Sequence, residues 1–153
     1  MDLILWRHAE AVEAQEGESD LGRPLTPRGQ KQAARVAGWL NRNLPESTRV
    51  LCSPALRCEE TVMALDRRYK PRQELGPDAQ ASELIDLVRW PLGKGNVLVV
   101  GHQPTLGAVV GQLLGMNEAA APFRKAGVWW LRYRVRDGVG RAVVVAVQSP
   151  DTI

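Results

Sequence analysis

The apolar residues fall into short runs that end abruptly in charge or in turn residues. Leu3-Ile4-Leu5-Trp6 stops at Arg7, Arg49-Val50-Leu51-Cys52 stops at Ser53-Pro54, and Val97-Leu98-Val99-Val100 stops at Gly101. Runs of this length, bounded this way, predict buried strands. Between them the apolar spacing becomes helical. Thr26-Pro27 offers an N-cap beside a first-turn proline, and Ala33, Val36, Ala37, Leu40 and Leu44 then recur on one face until Leu44-Pro45. A second helix is predicted from Pro54 to about Asp66, with Leu56, Val62, Met63 and Leu65 on its buried side. Ser82 is read as the cap of a third, ending near Trp90-Pro91; a fourth runs from Pro104 to Leu114, with Gly115 past its end. Gln73-Glu74-Leu75 reads as a short strand in an otherwise irregular stretch.

Two more β runs, Val128–Arg134 and Ala142–Val147, flank a turn at Asp137-Gly138. The order is β and α in alternation, then a hairpin. It predicts one α/β domain over residues 1–153, a three-layer sandwich with a mostly parallel central sheet, helices on both faces and a C-terminal β-hairpin. A chain of 153 residues buries enough surface for a core without disulfides or metals.

Composition narrows the class of function. The chain is 44% hydrophobic and 24% charged, as a globular domain is. It carries a net charge of +3, but its arginines are scattered. Arg132, Arg134 and Arg136 alternate with Tyr133 and Val135, which predicts one solvated strand face. With no groove-reading motif beside that charge, no nucleic-acid role is expected. No apolar stretch approaches the roughly 18 residues of a membrane span, so no membrane role is expected either. No signal-peptide pattern opens the chain, and two cysteines, Cys52 and Cys58, make no disulfide framework; the expectation is a cytoplasmic monomer. Both cysteines read as small core fillers, and Trp39, Trp90, Trp129 and Trp130 as packing residues.

The candidate chemistry lies where the strands end. The chain has two histidines, and each follows an apolar run: His8 after Arg7, His102 after Gly101. Ligand sites in open α/β sheets gather at the carboxyl ends of strands. A single histidine in such a place is more often structural; two on independent strand ends favour function. A third strand end leads through Ser53-Pro54-Ala55-Leu56 to Arg57, in the first turn of a helix, where backbone N–H groups already favour an anion. Alone, Arg57 would be read as a surface partner of Glu60, and Arg7 as a strand-end charge. Together, Arg7, His8, Arg57 and His102 make a dense cationic cluster of the kind phosphoryl transfer requires.

At these positions the sequence resembles the histidine phosphatase (phosphoglycerate-mutase-like) superfamily. Arg7-His8-Ala9 is similar to its Arg-His-Gly motif, Leu25 to Ala33 to its first-helix signature, Ser53 to Thr61 to its second arginine element, and Val99 to His102 to its second histidine. The short length and the Arg23-Pro24-Leu25-Thr26 run look most like its SixA-like phosphohistidine phosphatase branch. One departure is visible: Ala9 stands in the glycine position, which matters if that residue is left-handed.

The resemblance implies roles. His8 would attack phosphorus as a neutral imidazole, its other N–H held by an acceptor such as a backbone carbonyl. Arg7 and Arg57 would bind the phosphoryl oxygens, and a protonated His102 would add a further donor. No cofactor is expected, and two histidines without further ligands at metal spacing make no metal site. The proton donor stays open among Asp20, Glu10, Glu74 and Asp78, each more readily read as a solvated surface acid. A leaving imidazole carries its own proton, so phosphohistidine asks little of such a donor. The expected function is hydrolysis of phosphohistidine on a protein, a histidine phosphotransfer domain, through a phosphorylated His8. The connections are too short for a lid, and the acidic first loop disfavours polyanions. The alternatives are a small-molecule phosphomonoesterase of the same superfamily and, from another class, a non-catalytic phosphate-dependent binding module.

Overall fold

The computed structural model describes residues 1–116 and 121–153. Its strands are β1 (Asp2–Arg7), β2 (Arg49–Cys52), β3 (Lys70–Pro71), β4 (Asn96–Gly101), β5 (Val128–Arg136) and β6 (Val139–Gln148). They form one sheet in the order β3-β2-β4-β1-β5-β6. β1, β2, β3 and β4 run parallel; β5 and β6 close the sheet antiparallel. Four helices cover it: α1 (Pro27–Asn43), α2 (Leu56–Met63), α3 (Ala81–Val88) and α4 (Thr105–Leu114).

Strand side chains alternate between two cores, as the pleat requires. Ile4, Trp6, Val50, Cys52, Leu98 and Val100 pack with Val36 and Leu40 of α1 and Val62 of α2. Leu3, Leu5, Leu51, Val97 and Val99 face the other way, onto Leu84 and Val88 of α3 and Leu106, Val109 and Val110 of α4. Both faces of the inner strands are therefore dry, which is why they read as unbroken apolar runs. The three-layer α/β expectation holds, hairpin included. Asp137 and Gly138 both have positive φ, the primed turn that suits the twist of a hairpin.

α1 starts as predicted. The Thr26 hydroxyl accepts from the Gly29 N–H at 2.9 Å, with Pro27 at the first position. Gly29 lies against the main chain of the first loop: a Cβ there would sit 2.0 Å from the Glu10 carbonyl oxygen. The helix start and the loop after β1 are thereby held in contact.

Several details depart from expectation. α2 begins at Leu56 because the chain stays extended through Ala55, whose N–H the Ser53 hydroxyl accepts at 3.1 Å. Its inner face carries Cys58, Thr61 and Val62, with Leu65 just beyond; Leu56 and Met63, seven residues apart on the outer face, are 38% and 60% exposed. α3 is capped by Gln80, not Ser82, because Glu83 reaches back to the Gln80 N–H at 2.7 Å. Residues Gln73–Leu75 form a 3-10 turn; the edge strand lies before it, at Lys70–Pro71. The arginines of β5 do not share one solvated face: Arg132 forks onto the buried Asp2 carboxylate at 2.8 Å through Nε and 2.8 Å through Nη2. Register explains it, since Arg132 faces Asp2 across the β1–β5 pair. The tryptophans pack edge to face, Trp39 on Trp130 and Trp90 on Tyr133. Among the described residues no helix is long and apolar enough to cross a membrane.

Candidate active site

The carboxyl ends of β1, β2 and β4 lie side by side, and each delivers part of one pocket. Arg7 pairs in register with Gly101, so His8 and His102 emerge together; their ring centroids are 5.3 Å apart. β2 ends opposite Val100, and the turn through Ser53 starts α2 with Arg57 in its first turn. Arg7, His8, Arg57 and His102 line a hollow of about 330 Å³.

His8 is held at every main-chain point. Its N–H donates to the Gly101 carbonyl at 3.1 Å and its carbonyl accepts from Ala126 at 3.1 Å. Its ring Nδ1 lies 2.8 Å from the Ala9 carbonyl, which can only accept; Nδ1 therefore carries the proton and Nε2 keeps its lone pair. Burial, only partly opposed by that hydrogen bond, and then the charges of Arg57, Arg7 and Arg23 push the His8 pKa down to about 4. The ring is neutral and nucleophilic at neutral pH.

Ala9 has no left-handed φ, so the alanine in the glycine position is unstrained. Its N–H is bound by the Thr61 hydroxyl at 3.0 Å, and that hydroxyl donates to the Arg57 carbonyl at 2.7 Å. One buried side chain thus ties the histidine loop to the helix that carries Arg57.

Arg7 donates through Nη1 to the Phe123 carbonyl at 2.7 Å. Arg57, only 3% exposed, donates through Nη1 to the Asp20 carbonyl at 2.8 Å and through Nη2 to the Asp20 carboxylate at 3.1 Å. Glu60 is no partner of Arg57; it accepts from the Leu25 N–H. The Nε–H of Arg7 and of Arg57 are both buried without a hydrogen-bond partner. Both arginines line the pocket, so it carries two guanidinium charges beside His8.

His102 corrects an expectation. Burial, then Arg57 and His8 beside it, push its pKa down to about 3, so the ring is neutral, not protonated. Its Nε2 lies 2.8 Å from the Ser53 hydroxyl and its Nδ1 lies 3.4 Å from Arg57 Nη2. Cys58 packs against His102 at 3.5 Å, but burial pushes its thiol up to about 12, and Cys52 likewise. Neither is a nucleophile at neutral pH.

Of the four candidate proton donors, Asp20 alone reaches the arginines. Burial would raise its pKa, but the hydrogen bonds and charges of Arg57 and Arg23 outweigh it and hold the carboxyl below its ordinary range. Glu10 accepts from the Thr26 hydroxyl at 2.7 Å, at the start of α1. Glu74 is bound by Arg72 at 2.6 Å, and neither it nor the exposed Asp78 lines the pocket. The structure adds members that the sequence did not single out. Arg23 lines the pocket, its Nε 3.0 Å from Asp20 and its Nη1 2.9 Å from the Val12 carbonyl. Glu13, Gln103 and Lys125 also line it. Only Arg23 had a local signal, its three-residue spacing from Asp20.

The profile of the histidine phosphatase superfamily (branch 1) matches residues 3–84. The chain belongs to that superfamily. It is 34% identical over 121 residues to the phosphohistidine phosphatase SixA of Escherichia coli (strain K12), across 74% of each chain. It is 30% identical over 130 residues to a phosphohistidine phosphatase SixA homolog of Haemophilus influenzae, across 75% of this chain and 78% of that one. The structure of the protein histidine phosphatase SixA complexed with tungstate superposes with a TM-score of 0.78 at 27% identity, covering 99% of this chain and 98% of that one. A phosphoserine phosphatase from Entamoeba histolytica shares the fold, with a TM-score of 0.71 at 19% identity over 97% and 96% of the two chains. This histidine phosphatase is thus SixA-like in sequence and in fold.

Proposed function

We propose that this phosphatase hydrolyses phosphohistidine displayed on a protein, with His8 as the covalent nucleophile. The observation that carries the reading is the state of His8: Nδ1–H clipped to the Ala9 carbonyl, Nε2 bare, and Arg7 and Arg57 beside it in the same pocket. The SixA structure complexed with tungstate, an oxyanion, supports an oxyanion site in this chain.

The steps balance without an acid. His8 Nε2 attacks phosphorus, and the P–N bond of the substrate breaks with its electron pair going to the substrate ring. That ring, protonated on its other nitrogen, leaves as neutral imidazole. Phosphorylated His8 is then itself an imidazolium, with Nδ1–H bound to the Ala9 carbonyl. Water attacks phosphorus, the second P–N bond breaks, and His8 returns to its neutral form as phosphate departs. Arg7 and Arg57 bind the phosphoryl oxygens throughout, charge that preorganised donors stabilise most strongly. Neutral His102 adds no charge; with Nε2 on the Ser53 hydroxyl and Nδ1 facing Arg57 Nη2, it positions the Arg57 guanidinium. Asp20, held ionised on Arg57 and Arg23, has no proton to donate to a leaving group.

The fate of the leaving group provides the test. Free phosphohistidine and a histidine-phosphorylated phosphotransfer domain are expected to turn over, and alkyl phosphates such as phosphoserine are not. Rapid hydrolysis of alkyl phosphates with no action on either phosphohistidine would replace this reading by the small-molecule phosphomonoesterase.

A further inference from the structure

The sheet has an unfinished edge. β3 pairs only with Leu51 and Cys52 of β2, while Arg49 and Val50 pair with β4 alone. Along that gap runs a groove of about 610 Å³. Val50, Leu51 and Leu87 give it an apolar floor; Arg49, Arg68, Lys70 and Arg72 stand around it, and no carboxylate lines it. Among the described residues, only Arg72 of these four forms an ion pair, with Glu74. Like charges gathered on one hollow repel one another, and an anionic occupant relieves that repulsion. Protecting the edge from aggregation would need only Lys70 and Pro71, on the edge strand itself. Arg49 and Arg68 come from flanking segments and converge on the same groove.

The groove also communicates with the catalytic end of the sheet. Arg72 follows β3, its N–H bonded to the Cys52 carbonyl at 2.9 Å, and the same surface segment continues to Pro77, which lines the His8 pocket. We infer that this groove docks an extended acidic segment of the phosphorylated protein substrate, laid along β2 where β3 stops. The backbone edge, the apolar floor and the cations each suit such a segment: main-chain pairing, alternate apolar side chains and alternate carboxylates. The inference rests on the protein-phosphohistidine reading above and adds the means by which the protein is held.

The experiment compares the natural chain with an Arg49→Glu/Arg68→Glu/Lys70→Glu variant, and with the milder Arg49→Gln/Arg68→Gln in case the first melts early. Both are assayed at low salt on a histidine-phosphorylated phosphotransfer domain and on free phosphohistidine. Charge reversal is expected to raise KM for the domain about tenfold or more, with a shallower salt dependence, and to leave free phosphohistidine within about twofold. A blocked peptide alternating glutamate and valine, titrated by amide NMR, is expected to shift residues 48–51 and 68–72 in the natural chain and not in the variant. Equal turnover of the domain by all three proteins, or peptide shifts elsewhere, would overturn the docking groove and leave the phosphatase reading standing. A natural chain active on free phosphohistidine but inert on the domain would overturn the protein-substrate reading instead, and the docked partner with it.

Discussion

The floor of the pocket and its rim are made differently. The floor is Arg7, His8, Arg57 and His102, set at the ends of three parallel strands and braced by hydrogen bonds to main-chain carbonyls and to Ser53. The rim is Glu13, Arg23 and Lys125, carried on loops, with the half-exposed Asp20 paired to Arg23 and Arg57 behind it. The floor can act on any phosphoryl group that reaches it; only the rim and the surface beyond can choose what reaches it. Chemistry and selection are therefore separable here, and substitutions in the two regions should fail in different ways.

The largest effect belongs to the floor. His8→Ala should lower turnover by about 10⁴-fold or more, the scale on which removing a covalent nucleophile acts. Single-turnover assays on free phosphohistidine check it; turnover near normal would place the bond-forming atom elsewhere. Arg57→Lys keeps the charge but loses the planar fork, and should cost roughly 10²–10³-fold in kcat. His102→Ala should fall in the same range and stay above His8→Ala, since His102 positions Arg57 and forms no bond to phosphorus. If Arg57→Lys turned over normally while melting far earlier, the arginine would be structural.

The two histidines also make the floor sensitive to acid. Their folded pKa values, about 4 for His8 and about 3 for His102, lie below the ordinary value of 6.5. The unfolded chain therefore takes up protons first as pH falls, and stability drops from about pH 6.5 to about pH 4 through His8 and to about pH 3 through His102. By pH 5 each histidine should account for roughly 1–2 kcal/mol of that loss. Urea unfolding at pH 7 and pH 5 measures it, and a double alanine variant should flatten the slope. A slope unchanged in that variant would mean that the histidines are not buried neutral.

The smallest effect should come from the rim. Asp20→Asn removes the carboxylate that competes with the phosphoryl group for Arg57. It should lower KM while changing kcat by less than about fivefold, alike for good and poor leaving groups. A large kcat loss confined to poor leaving groups would make Asp20 a proton donor and blur the contrast between floor and rim.

The same division governs what could be read from the chain. The floor was legible because it sits on periodic structure: an apolar run ended by Arg7-His8 or Gly101-His102 places a side chain at a strand end. Thr26-Pro27 and Gly115 marked helix limits for equally local reasons. The rim was legible only at Asp20 and Arg23; Glu13 and Lys125 reach the pocket through the path of loops, which no periodicity records. The protonation of His102 was misjudged for a related reason. Its charge depends on burial and on Arg57 at 3.4 Å, contacts between residues 45 positions apart. Leu56 and Met63 were assigned to the core as apolar residues, but their spacing puts them on the outer face of α2.

The covalent step leaves its own chemical trace on His8. The enzyme is mixed with a phosphotransfer domain labelled on its phosphohistidine, quenched in base within one turnover, and digested for mapping. The account predicts an acid-labile, base-stable phosphoryl group on His8 that forms and decays at rates compatible with turnover. Label that never leaves the domain except as free phosphate, with His8 unmodified at every time point, would contradict it.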